Sequence, residues 1–89
     1  MEELPFEEII NDSIRIRTFQ SSVEIDELKW HYDNEDRKIV VLKSDGWMLQ
    51  MDDELPKPLI EGEFYYIPKG IYHRAIKGSG DLVVKIQFI

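Results

Sequence analysis

Gly62-Glu63-Phe64-Tyr65-Tyr66-Ile67-Pro68-Lys69-Gly70-Ile71-Tyr72-His73 sets glycine, proline, glycine and histidine at intervals of five, one and two residues. Each solves a separate problem in turning a strand and presenting a side chain. Gly62, between Glu61 and Glu63, can take the positive-φ turn that starts a strand. Phe64 to Ile67 then reads as the strand itself. Pro68 fixes φ and Gly70 supplies the unusual conformation of a tight reversal, so His73 falls early in the returning strand, close to the turn.

The same alternation of strand and turn extends outward in both directions. Ile71 to Lys77 is a second strand, Gly78-Ser79-Gly80-Asp81 a turn, and Leu82, Val84, Ile86 and Phe88 alternate with Val83, Lys85, Gln87 and Ile89 to the end. Upstream, Asp52 to Leu59 carries Pro56 and Pro58 among charges, which suits a loop or an edge crossing. Trp47, Leu49 and Met51 alternate with Met48 and Gln50 after the hairpin signal Ser44-Asp45-Gly46, and Arg37 to Lys43 is rich in β-branched residues. Ile14, Ile16 and Thr18 alternate with Arg15, Arg17 and Phe19. Residues 4–12 read differently, as a short helical turn with Pro5 near its start and Phe6, Ile9 and Ile10 on one side. The expected organisation is an N-terminal flap over 1–12, helical or irregular, and a single all-β domain over 13–89. Many short strands with regular turns and no long helix call for a sandwich or barrel.

Composition narrows the function. An 89-residue chain buries a modest fraction of its surface, so a homodimer is expected to add stability. Without cysteine it has no disulfide, thiolate nucleophile or zinc-finger chemistry. A net charge of −7 opposes binding to phosphate backbones and anionic lipid surfaces, so neither nucleic acid nor membrane is an expected partner. Met1-Glu-Glu-Leu-Pro begins without a basic segment and apolar run, and the expected location is cytoplasmic.

The Gly62 to His73 run resembles the second signature of the cupin superfamily, and the resemblance extends over Ile25 to Ile89. It implies a small jelly-roll β-barrel. The family's first signature has two histidines one residue apart, then a glutamate, then a glycine. Here His31 fits the first histidine, Asp33 stands at the second, Arg37 falls near the glutamate, and Gly46 arrives slightly late. An asparagine frequent after the second-signature histidine is replaced by Lys77.

Both of the chain's histidines thus land on positions the family uses for metal. Period two puts Asp33 on the same side as His31, so His31, Asp33 and His73 form the expected two-histidine, one-carboxylate metal face. Its metal would be a divalent iron, manganese, nickel or zinc. The competing reading of Asp33-Asn34-Glu35-Asp36 is a solvated loop.

Arg37 argues against an ordinary metal site, because a cation beside a divalent metal costs Coulomb energy. It either recognises an anionic group of a small-molecule ligand, with Lys77 pointing into the same cavity, or forms an internal salt bridge to Asp33 or Asp36. Trp47 and Tyr65 are the aromatic residues expected to wall such a pocket. The resemblance implies a metal-binding cupin that takes a small, anionic molecule, in the manner of a dioxygenase or isomerase. No residue is singled out as catalytic. A metal-free ligand-binding or sensor module, and a dimeric interaction protein, are the alternatives.

Overall fold

Alternation becomes two sheets in the computed structural model, which describes residues 4–88. Strand β1 (Glu7–Asn11) and strand β2 (Ile14–Phe19) form an antiparallel hairpin across a turn in which Asp12 holds φ at 56°. Aspartate is one of the few residues that tolerates this left-handed conformation. The helical turn expected over 4–12 is therefore an edge strand, and Glu7–Asn11 is hydrogen-bonded into the same sheet as β2. Ile9 and Ile10, which sequence spacing placed on one helix face, alternate across this strand instead, in register with Ile16 and Arg15.

After a 3-10 turn at Ile25–Glu27, the chain forms β3 (Arg37–Lys43), β4 (Met48–Met51), the two-residue β5 (Lys57–Pro58), β6 (Phe64–Ile67), β7 (His73–Ile76) and β8 (Leu82–Phe88). One sheet has the order β1-β2-β8-β3-β6 and the other β5-β4-β7, with every pairing antiparallel. β8 lies between β2 and β3. Its Leu82, Val84 and Ile86 are buried, and they pair with Phe19, Arg17 and Arg15 on one side. Partners directly opposite in an antiparallel ladder share a face, so the two arginines of β2 stand on the inner face and Ile14 and Ile16 on the outer one. Arg37, Ile39 and Val41 of β3 face inward by the same register, opposite Phe88, Ile86 and Val84.

The inner faces enclose a core of Val41, Trp47, Leu49, Met51, Leu59, Ile67 and the three β8 residues, with Val23 from the loop before the 3-10 turn. Trp47 closes one end. It is fully buried, its indole N–H donates to the Gly80 carbonyl at 2.7 Å, and its ring lies 5.8 Å from that of Phe19. Gly78 packs so closely on the Gly46 hairpin that an added Cβ would overlap the Asp45 carbonyl and the Trp47 amide. The candidate site occupies the other part of the interior, where core packing gives way to polar side chains. Among the described residues, no helix is long and apolar enough to cross a membrane.

Candidate metal centre

His31 and His73 face each other because their backbones pair. His31 N–H donates to the His73 carbonyl at 3.0 Å and His73 N–H to the His31 carbonyl at 2.8 Å, a single antiparallel bridge outside the longer ladders. Such a pair projects both side chains to one face, and the two rings lie 4.3 Å apart between centroids. Two residues on, the Gly70 N–H donates to the Asp33 carbonyl at 2.9 Å. Gly70 holds φ at 79° and Gly62 at 85°, the conformations the sequence required of them. The proline-glycine turn thus performs two tasks, starting the His73 strand and fixing the backbone of Asp33.

Both imidazoles are oriented by carbonyls. The Nδ1 atoms lie 2.9 Å from the Lys29 carbonyl for His31 and 2.9 Å from the Ile71 carbonyl for His73. A carbonyl can only accept, so each Nδ1 carries the proton and each Nε2 of the neutral ring keeps a lone pair, the orientation found in metal-ligating histidines. One ligand atom from each of His31, Asp33 and His73 lies within 4.8 Å of the others.

Asp33 completes this face with a conflict. Its Oδ2 is buried without a hydrogen-bond partner and lies 3.3 Å from His73 Nε2. A carboxylate lone pair against an imidazole lone pair is repulsive unless a proton or a cation lies between them. Protonating His73 is unfavourable, since burial lowers its pKa below the ordinary value, only partly offset by the Ile71 carbonyl. His31 and Arg37 lower it further, and Asp33 raises it. Two nitrogen donors, one carboxylate oxygen and an orphaned buried acceptor fit a first-row divalent metal.

Arg37 is buried beside this face. Its Nη1 lies 3.4 Å from Asp33 Oδ1, while Nε and Nη2 donate to Glu35 Oε1 at 3.1 and 2.7 Å. The internal salt bridge read from the sequence is therefore present with Asp33. Asp36 instead accepts from the Lys69 amide at 2.8 Å. With its nitrogens engaged in this way, Arg37 is not poised to grip an external anion as it stands.

The cavity of about 70 Å³ at this face is lined by Arg17, Phe19, His31, Asp33, Arg37 and His73 among others. Trp47, Tyr65 and Lys77 do not line it. Trp47 is committed to the core. Tyr65 faces inward opposite Ile39, but its hydroxyl donates to the Pro58 carbonyl at 2.8 Å and accepts from the Ile60 amide at 3.0 Å, tying down the β5 edge. Lys77 lies beyond the last residue of β7, where alternation ceases, and borders a separate surface cleft with Ile25, Leu28 and Arg74. Arg17 and Phe19 were not foreseen as site residues. They also line an outer cleft of about 230 Å³ with Phe6, Leu28, Lys29 and His31.

No protein-family model matches the sequence, and no curated protein matches it. Solved structures do. Barrel and motif turn together give the chain the cupin fold, the double-stranded β-helix. An RmlC-like cupin from Methanocaldococcus jannaschii superposes with a TM-score of 0.68 at 19% identity, over 91% of this chain and 74% of that one. A cupin domain from Bordetella pertussis gives 0.62 at 18% identity, over 100% and 98%. Cobalt(II) HppE gives 0.67 at 15% identity, over 94% of this chain and 52% of HppE, so the chain spans about half of that protein.

Proposed function

We propose that this chain is a small metal-binding cupin that takes a small anionic molecule into its barrel, against a divalent transition metal held by His31, Asp33 and His73. The observation that carries the reading is Asp33 Oδ2, buried, without a partner, and facing a histidine nitrogen that burial keeps neutral. Iron, manganese, nickel or zinc suits the donor set. Two structural neighbours are HppE with cobalt(II) and with iron(II), which favours testing those metals first.

When bound, the metal supplies Lewis acidity toward an oxygen of the ligand, with coordination positions left open by a three-residue face. The chain's own residues do the rest. The Lys29 and Ile71 carbonyls fix the imidazole planes, the Gly70 amide fixes Asp33, and Ile39, Leu49 and Leu59 give the cavity an apolar wall. A dioxygenase or an isomerase is the reaction class this arrangement serves.

Elemental analysis of chain purified without chelator tests the reading, beside His73→Ala. Near-stoichiometric transition metal that is lost in the variant is the expected outcome. Metal-free protein that stays so after incubation with iron, cobalt, manganese, nickel and zinc would sink it. One observation favours the metal-free alternative: Arg37 already supplies Asp33 with a cation, which it shares with Glu35. That alternative predicts equal melting temperatures with and without added metal.

A further inference from the structure

Two arginines line the cavity at the candidate metal face, and they are bonded differently. Arg37 directs Nε and Nη2 to Glu35 and Nη1 to Asp33. Arg17, on β2, donates through Nε to Glu8 of β1, and among the described residues neither Nη nitrogen makes a hydrogen bond. Its guanidinium carbon sits 4.1 Å from the Phe6 ring centroid, and its side chain is 13% exposed. A guanidinium gripped at one corner and packed on a ring presents its other edge in a fixed direction.

That edge belongs to a residue common to two spaces. Arg17, Phe19 and His31 border both the outer cleft and the inner cavity with Asp33 and His73, so a molecule in the cleft meets Arg17 and His31 together, with Asp33 and His73 deeper. Phe6 and Phe19 give the cleft an apolar wall, their rings 5.3 Å apart, and Lys29 adds a second cation against one acid, Glu27.

We propose that Arg17 is the specificity-determining residue of this pocket, receiving the carboxylate of a small organic acid whose apolar body rests on Phe6 and Phe19 beside His31. This deepens the metal-centre reading and rests on it for what the acid is presented to, while the unengaged Nη edge fixes where the anion goes. Bidentate pairing with a carboxylate needs the planar fork that Arg17 keeps available and Arg37 does not.

The test is calorimetric titration of the full chain, cobalt(II)-loaded and metal-free, with benzoate and with benzamide, its uncharged isostere, cobalt content being measured in each preparation. Benzoate is expected to bind at least about tenfold more tightly than benzamide, and Arg17→Gln to weaken benzoate about ten- to a hundredfold without changing cobalt content. Arg17→Lys, which keeps a charge for Glu8 but lacks the fork, is expected between the two. Should Arg17→Gln fail to fold because it strands Glu8, the double variant Glu8→Gln with Arg17→Gln removes both partners and is expected to show the same loss.

Equal affinity for benzoate and benzamide, no benzoate binding at all, or unchanged benzoate affinity in the folded Arg17 variants would overturn the assignment. A chain that takes up no cobalt yet keeps the Arg17-dependent preference ends the metal reading and upholds this one.

Discussion

Asp33 has the Arg37 guanidinium at Oδ1 and a buried, unpartnered Oδ2 where the proposed metal would sit, and the two cations would partly exclude each other. Two positive charges on one carboxylate repel across a few ångströms, the more so in a cavity of low dielectric. Arg37→Gln therefore has opposite effects on two measurements. It is expected to lower the stability of the metal-free chain by roughly 2 kcal/mol, because Asp33 and Glu35 lose a charged donor. It is also expected to tighten metal binding, read by competition against a chelating dye; weaker binding would show instead that Arg37 supports the metal by orienting Asp33. His73 adds a pH dependence. Its folded-state pKa lies below that of the unfolded chain, so its contribution is fully present above about 6.5 and is lost as pH falls through the folded-state value. Unfolding free energies of metal-free protein from chemical denaturation between pH 7.5 and 5 should fall more steeply for wild type than for His73→Gln, by at most about 1.4 kcal/mol per pH unit for one proton.

Elements were legible where pattern and turn chemistry agreed. β3, β4, β6, β7 and β8 lie where alternation and the Gly46, Gly62 and Gly70 turns placed them, since glycine at positive φ has few substitutes. β1 was not, because Phe6, Ile9 and Ile10 satisfy helical spacing over so short a window; the signal for a hairpin was Asn11-Asp12-Ser13, a turn sequence between two runs containing isoleucine. The glycine turns also give predictions at this scale. Gly70→Ala places a side chain at φ 79° and is expected to cost about 1 kcal/mol, together with metal affinity, since the Gly70 amide positions Asp33. Gly78→Ala forces a methyl group against the backbone of Asp45 and Trp47 and is expected to cost about 2–3 kcal/mol, with no direct effect on the metal face. Chemical denaturation with metal titration separates the two, and equal loss of metal affinity in both variants would mean that destabilisation alone explains it.

Over the whole molecule, the candidate site was half legible. That His31, Asp33 and His73 come together could be read from motif frame and period two, because each property is local. That Arg17 joins Arg37 at the cavity could not. Alternation in Ile14 to Phe19 separates two faces without saying which is inward, and that is decided by pairing with β8, far along the chain. Phe19, in phase with Arg17, was the available clue. Lys77 shows the converse, an alternation extended one residue past the end of its strand. The ion pairs of this region set Arg15, Arg17 and Arg37 against Glu8, Asp33 and Glu35, a balance that a divalent cation would tip to positive inside a chain of net charge −7. With the proposed metal in place, an anion would be drawn to the interior of a protein whose net charge opposes it.

The closed end of the barrel equips the molecule with an optical probe of its own. Trp47 is sealed from water, whereas Trp30 is 43% exposed on the outer side, beneath the Arg74 guanidinium. Emission should accordingly resolve into a blue, acrylamide-resistant component and a red, quenchable one, and Trp30→Phe should leave only the first. Phe19 touches the Trp47 ring and also borders both spaces that lead to the histidines. Any molecule that displaces Phe19 alters the surroundings of the buried indole, so occupancy of the pocket can be followed by the colour of one tryptophan without a label or a turnover assay.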